Sequence, residues 1–163
     1  MRLPGDDDTA LEPRTAGKWS VLFQEQTVIA ASPAKIWSVL TDLSTYAEWN
    51  PWIPSAEGVL EPGGIVWCDV VLGEKKQRFK HVVLTVEPET RLCWRDAGWN
   101  SAFVYGQRNR SLQPQPDGTV LFTQEILIDG LLSKIASLTH GPSLRTGLRL
   151  ETAALKQRAE ARR

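Results

Sequence analysis

The sequence predicts an α+β domain in which an antiparallel sheet is covered by one long helix. Three observations carry this prediction. Between Ile53 and Ile128, β-prone runs alternate with Gly- and Pro-rich turn signals at short intervals. A helix start, Ser32-Pro33, interrupts the β pattern early. Beyond Gly130, Leu131, Leu132, Ile135 and Leu138, then Leu144, Leu148 and Leu155, keep one face apolar at helical spacing.

Residues 1–18 mix charges with Pro4, Gly5, Pro13 and Gly17 and read as a flexible leader; 19–163 form a single domain. Val21, Phe23, Glu25, Thr27 and Ile29 alternate in a first strand within Trp19 to Ala31. Ser32 caps a helix that carries Ile36, Trp37, Leu40 and Leu43 on one face. Thr45 and Glu48 have capping-box spacing for a second short helix, which must end near Asn50 because Pro51 follows. Six strands then follow: Ile53 to Leu60, Ile65 to Leu72, Gln77 to Val86, Leu92 to Asp96, Ala102 to Gln113 and Thr119 to Ile128. Short turns join them, among them Glu61-Pro62-Gly63-Gly64, a turn at Gly98 to Asn100 and the loop Pro114-Gln115-Pro116-Asp117-Gly118, so the strands form an antiparallel meander. Gly141-Pro142 is expected to interrupt the terminal helix. That helix is the one element large enough to cover the sheet, and a sheet wrapped around it encloses a space.

Composition narrows the function. Nineteen basic residues balance nineteen acidic ones, which argues against nucleic acid as a partner and against electrostatic docking on anionic membranes. No apolar run approaches the ~20 residues of a membrane span, and the leader, with Asp6, Asp7 and Asp8, is no signal peptide. Cys68 and Cys93 are expected as reduced, buried thiols in a cytoplasmic protein. His81 and His140 stand 59 positions apart with no ligand-spaced cluster, so no metal site is expected. No phosphate-cradling glycine motif occurs, and no cofactor is expected. A homodimer is left open.

Seven tryptophans in a domain this small either pack a bulky core or line a cavity. Tyr46, Trp49 and Trp52 crowd the segment around Asn50-Pro51, which is either a plug between helices and sheet or the rim of a ligand mouth. By alternation Arg108, Arg110 and Leu112 share one face. With the hairpin centred on Pro116 and one bulged residue, Arg108 lies opposite Glu125 and Arg110 opposite Thr123. Facing inward, these groups belong to a cavity; facing outward, they form an ordinary cross-strand pair. The six basic and two acidic residues from Arg145 to Arg163 read as a solvated helix end or as a basic docking surface.

The run Ala30-Ala31-Ser32-Pro33, Ile36-Trp37-Ser38-Val39-Leu40-Thr41-Asp42 and Tyr46-Ala47-Glu48-Trp49-Asn50-Pro51 resembles the START-like (SRPBCC) helix-grip superfamily. More narrowly it resembles the polyketide cyclase/dehydrase branch. Pro88 with Trp94, Gly106, Asp117-Gly118-Thr119, Glu125, Gly130-Leu131-Leu132, Leu155-Lys156 and Glu160 agree with it, over residues 20–160. The resemblance implies a seven-stranded antiparallel sheet gripping a C-terminal helix around a cavity for apolar molecules, as in Bet v 1-like proteins. Where many relatives have His and an aromatic residue two positions apart after the glycine of the sixth strand, this chain has Arg108 and Arg110.

The expected function is binding of a small hydrophobic or aromatic ligand, lipid-, quinone- or polyketide-like. Trp49, Trp52, Trp67, Phe79, Trp94, Phe103, Phe122 and Leu138 are the candidate lining, with Arg108 and Glu125 as polar anchors. Inward-pointing arginines imply a ligand with an acidic or carbonyl group. The alternative is a polyketide cyclase- or dehydratase-type enzyme, with Glu125 or His81 as base and Arg108 as oxyanion partner. A third reading, a protein-interaction or co-chaperone-like domain, would use the basic terminal helix around Arg145 and Arg149.

Overall fold

The computed structural model describes residues 11–97 and 103–161. Strand β1 (Val21–Ile29) leads into helices α1 (Pro33–Thr41) and α2 (Tyr46–Trp49). Strands β2 (Ser55–Gly58), β3 (Ile65–Leu72), β4 (Lys75–Glu87), β5 (Arg91–Ala97), β6 (Tyr105–Pro114) and β7 (Val120–Asp129) follow, then helix α3 (Ser133–Glu160). The seven strands form one antiparallel sheet in the order β1-β7-β6-β5-β4-β3-β2. Helix α3 packs on β1 and β7 at one end of that order and reaches β3 near the other, so the sheet curves around it. This is the expected α+β helix-grip architecture. The predicted turn at Gly98 to Asn100 lies outside the described residues.

The local signals act as their chemistry requires. The Ser32 hydroxyl accepts the Lys35 N–H at 3.2 Å, and Pro33 begins α1 where its missing N–H costs nothing. Ile36 and Leu40 from α1, with Tyr46 and Trp49 from α2, enter the core with Phe23, Ile29, Phe122, Leu148 and Leu155. The Tyr46 hydroxyl donates to the Leu40 carbonyl at 2.7 Å and thereby ties α2 to α1. The capping box does not form: Thr45 donates to the Asp42 carbonyl at 3.0 Å and makes no side-chain cap. A 3₁₀ turn at Leu43–Thr45 feeds directly into α2, so the first N–H groups of α2 are already within a turn.

Two further expectations are corrected. Helix α3 runs through Gly141-Pro142 without a break. The carbonyl that Pro142 leaves unpaired belongs to Leu138, an exposed residue, where water can take it. The β6–β7 hairpin turns around Asp117 instead of Pro116, and it carries no bulge. The Asp117 carboxylate accepts the Thr119 N–H at 3.0 Å and its hydroxyl at 2.6 Å, which fixes the turn there. As a result Arg108 pairs with Ile126, Arg110 with Gln124, and Asn109 with Glu125.

Of the leader, residues 11–18 are described, and Arg14 is fastened to the outer face. Its N–H donates to Gln107 at 2.7 Å, its guanidinium meets Asp129 at 3.3 Å, and it stacks 4.0 Å from the Tyr105 ring.

Candidate functional site

Register decides which residues share the enclosed face. Cross-strand pairing puts Arg110 beside Leu92 and Gln124, and Arg108 beside Trp94 and Ile126. Trp94 in turn lies beside Val83, and Asp96 beside His81. Gln124 identifies this face as the one under α3, because it donates to the Leu148 carbonyl at 2.9 Å and to the Thr152 hydroxyl at 2.6 Å. Both arginines therefore point inward. Arg110 is 1% exposed and Arg108 7%.

Burying two cations is costly unless each is paired. Arg108 is paired on several sides: it forms an ion pair with Glu151 of α3, donates to Gln124 at 2.8 Å, and lies 4.5 Å from the Trp52 ring. Glu151, itself 1% exposed, also accepts the Asn50 amide at 2.8 Å. Asn50 uses its other side-chain atom to accept the N–H groups of Trp52 and Ile53, at 3.1 and 2.8 Å. The Asn50-Pro51-Trp52 segment is thus locked to the carboxylate in the middle of α3. Arg110 has a different environment. Its guanidinium lies 3.9 Å from the Trp94 ring, and its Nε and Nη2 are buried with no hydrogen-bond partner. Burial and mutual repulsion lower the pKa of Arg108 well below the usual range; burial lowers that of Arg110. Burial also raises the Tyr46 phenol, against the pull of both guanidiniums.

A second polar pair stands at the end of the same face. His81 Nε2 is 3.1 Å from the Asp96 carboxylate, and its ring lies 5.5 Å from Trp94. Burial alone would lower the imidazole pKa, but the hydrogen bonds to Asp96 and Cys68 together outweigh it and raise the value to about 9. Gly106 makes this pair possible: a Cβ there would sit 2.2 Å from an Asp96 carboxylate oxygen.

Trp52 separates this interior from solvent. Its outer side borders an open cleft of about 270 Å³, also lined by Pro51, Val71, Gly73, Pro142 and Gly147. Its ring fits onto α3 only because residue 147 is glycine, since a Cβ there would stand 2.1 Å from the indole.

The structure divides the predicted site residues. Trp49, Trp52, Trp94, Arg108 and Phe122 are buried in the interior, with Phe79 and His81 on the same face of β4. Glu125 is corrected to the outer face, where it accepts Gln24 at 2.8 Å and Asn109 at 3.3 Å; the one-residue shift of the hairpin put it there. Trp67 also lies outside, 5.4 Å from Arg78 and 6.0 Å from Lys80, because Val66, Cys68 and Val70 take the inward positions of β3. Phe103 and Leu138 are 50% and 81% exposed and line no interior space. Sequence reasoning missed Glu151, Asn50, Gln124 and Asp96. Glu151 had a readable signal, since it falls three residues after Leu148 and four before Leu155, on the apolar line of the helix.

No group of three or more metal-ligating side chains occurs among the described residues. No described helix is long and apolar enough to cross a membrane. Chemically, the interior offers donors to oxygen atoms: two guanidiniums, a protonated imidazole, and the Trp49 and Trp52 N–H groups, which are buried without partners.

Fold and site together define a helix-grip protein with a polar, arginine-bearing interior. Residues 20–160 match the family model "Polyketide cyclase / dehydrase and lipid transport", and the chain belongs to that family. Among curated protein sequences none matches. Similar solved structures include the Zhui aromatase/cyclase from Streptomyces sp. R1128, at 14% identity and TM-score 0.72, covering 86% of this chain and 94% of that one. Norcoclaurine synthase from Thalictrum flavum, in complex with dopamine and hydroxybenzaldehyde, is similar at 16% identity and TM-score 0.65, covering 92% and 95%. The di-domain ARO/CYC BexL from the BE-7585A biosynthetic pathway is similar at 15% identity and TM-score 0.72 over 90% of this chain, which spans about half (52%) of BexL.

Proposed function

We propose that this chain binds a small hydrophobic or aromatic molecule between the sheet and α3, entering past Trp52. One observation carries the reading: the enclosed face stacks two buried arginines on two tryptophans, an arrangement a purely structural core has no need of. Aromatic walls with a few convergent donors are the usual make-up of a small-molecule site. The similar solved structures include one that holds dopamine and hydroxybenzaldehyde in the same fold. A cytoplasmic setting goes with this reading, supported by two buried free thiols, Cys68 and Cys93.

The test uses the full chain as purified. Native and denaturing mass spectra are compared, and any released compound is identified. A bound aromatic or apolar compound at one per chain is the expected result. A chain that carries none, and whose tryptophan fluorescence no aromatic probe alters, would refute it.

A cyclase- or dehydratase-type enzyme is the second reading, favoured by the His81–Asp96 pair beside Trp94. The roles then shift from those expected. His81, held protonated, serves as proton donor, and Glu151 replaces Glu125 as base. Glu151 would take a proton from the carbon next to a bound carbonyl while the enolate oxygen forms against a guanidinium. Deuterium exchange into the α-position of a bound aromatic ketone, lost in Glu151→Gln, is the expected sign. No exchange above the buffer rate would remove this reading.

A further inference from the structure

We infer that the interior is built for a ligand bearing a carboxylate, and that Arg110 is the residue that receives it. The inference rests on the grip being a ligand site, and it specifies the chemical class of that ligand.

Charge is the first argument. The charged groups on this face are Arg108, Arg110, His81 and Glu151 inside and Asp96 at its half-exposed end, with the Tyr46 phenol, its pKa raised by burial, among them. Asp96 is taken by His81, and Glu151 by Arg108 and Asn50. Among the described residues, that leaves Arg110 with no carboxylate and with the face of Trp94 as its ring contact. A buried cation stacked on one ring is undercompensated, and a bound anion is what would complete it.

Geometry is the second. The two unpartnered nitrogens of Arg110 are Nε and Nη2, which lie along one edge of the guanidinium. That edge takes the two oxygens of a carboxylate in parallel hydrogen bonds, a fit that lysine cannot reproduce. Position is the third. Arg110 lies two residues along β6 from Arg108, whose guanidinium is covered by Trp52, and Trp52 borders the open cleft. A flat acid passing Trp52 meets Arg108, already neutralised, and then the buried, unpartnered edge of Arg110, with Trp94 beneath.

The experiment compares two probes of equal shape on the full chain: 2-naphthoate and 2-naphthylmethanol, titrated by tryptophan fluorescence at neutral pH. Binding of naphthoate at least tenfold more tightly is expected. In Arg110→Met this preference collapses to about unity while affinity for the alcohol stays within about threefold. Arg110→Lys, which keeps the charge but loses the fork, falls between. Ligand-free Arg110→Met should also melt higher than the parent, because an uncompensated cation has been replaced by an apolar side chain of similar length. Equal affinity for the two probes in the parent protein would overturn the carboxylate inference and leave the grip reading standing. Binding of neither probe would overturn both. An Arg110→Met protein that melts lower, beside an Arg110→Lys protein with the parent's full preference, would make Arg110 a packing residue and overturn the inference as well.

Discussion

Adding one methyl group at Gly147 tests whether Trp52 is seated as described. The new Cβ would lie 2.1 Å from the indole Cε2 and 2.3 Å from Cδ2 and Nε1. Carbon atoms in good contact stand about 3.5 Å apart, so the ring must retreat by about 1.4 Å. It cannot retreat inward freely, because its other face lies 4.5 Å from the Arg108 guanidinium and the backbone N–H of Trp52 is held by the Asn50 side chain. Overpacking of this kind costs about 1–3 kcal/mol. Against it stands the gain of about 1 kcal/mol from replacing glycine by alanine inside a helix. Gly147→Ala should therefore be neutral to destabilising by up to about 2 kcal/mol. In a Trp52→Ala background the methyl enters vacated space and only the helix gain remains, so the same substitution should stabilise by about 1 kcal/mol. The coupling between the two sites is thus about 1–3 kcal/mol. Urea unfolding reads it directly: at a slope of about 2 kcal/mol per molar, each kcal/mol moves the midpoint by about 0.5 M. A Gly147→Ala midpoint that rises equally in both backgrounds would refute the reasoning.

The remaining predictions concern the charges. His81 has a folded pKa raised from 6.5 to about 9, so its contribution is fully present below about pH 6.5 and lost as pH rises through about 9. That contribution is at most roughly 3 kcal/mol, and less because Asp96 is half-exposed; His81→Gln should flatten the alkaline limb of a stability–pH profile. Gly106→Ala should push the Asp96 carboxylate away from His81 and lower the imidazole pKa, read by NMR titration; an unchanged value would contradict the close approach. Glu151→Ala should destabilise by about 3–5 kcal/mol by leaving Arg108 buried and unpaired, while Glu151→Ala with Arg108→Met recovers most of it. Ser32→Ala should cost about 1 kcal/mol in chemical denaturation through the lost cap.

The fold was legible because its signals are local. Ser32-Pro33 starts α1, and the run Ile65–Leu72 has the bounds of β3, without reference to the rest of the chain. The site was half legible, for a reason that alternation makes plain. A strand's pattern says which residues share a face, and Arg108, Arg110 and Leu112 do share one. It does not say which face is inside, and a one-residue change in the turn exchanged Glu125 for Gln124. On β3 the largest side chain, Trp67, was expected inside, yet three smaller residues of the opposite parity fill that space. Polar interior residues were harder still. Gln124 and Glu151 look like surface residues by type, and only their spacing against Phe122, Leu148 and Leu155 marks them as buried; Asn50, next to Pro51 after α2, carries no such periodic signal.

Those polar residues are where local rules and fold disagree, and such disagreements tend to mark function. A core of apolar side chains would hold this sheet on α3 at lower cost than Arg108, Arg110, Gln124 and Glu151 do. Part of the cluster repays its burial: Glu151 binds β6, through Arg108, and the Asn50-Pro51-Trp52 segment to one helix, so removing it would loosen both attachments together. Arg110 offers no comparable link through its buried Nε and Nη2, which have no hydrogen-bond partner among the described residues. On the proposal that Arg110 receives a ligand carboxylate, its burial weakens the empty protein and strengthens the occupied one. The difference between the melting temperatures of the free and loaded protein is therefore the quantity in which its role is written, and Arg110→Met should shrink that difference from both ends.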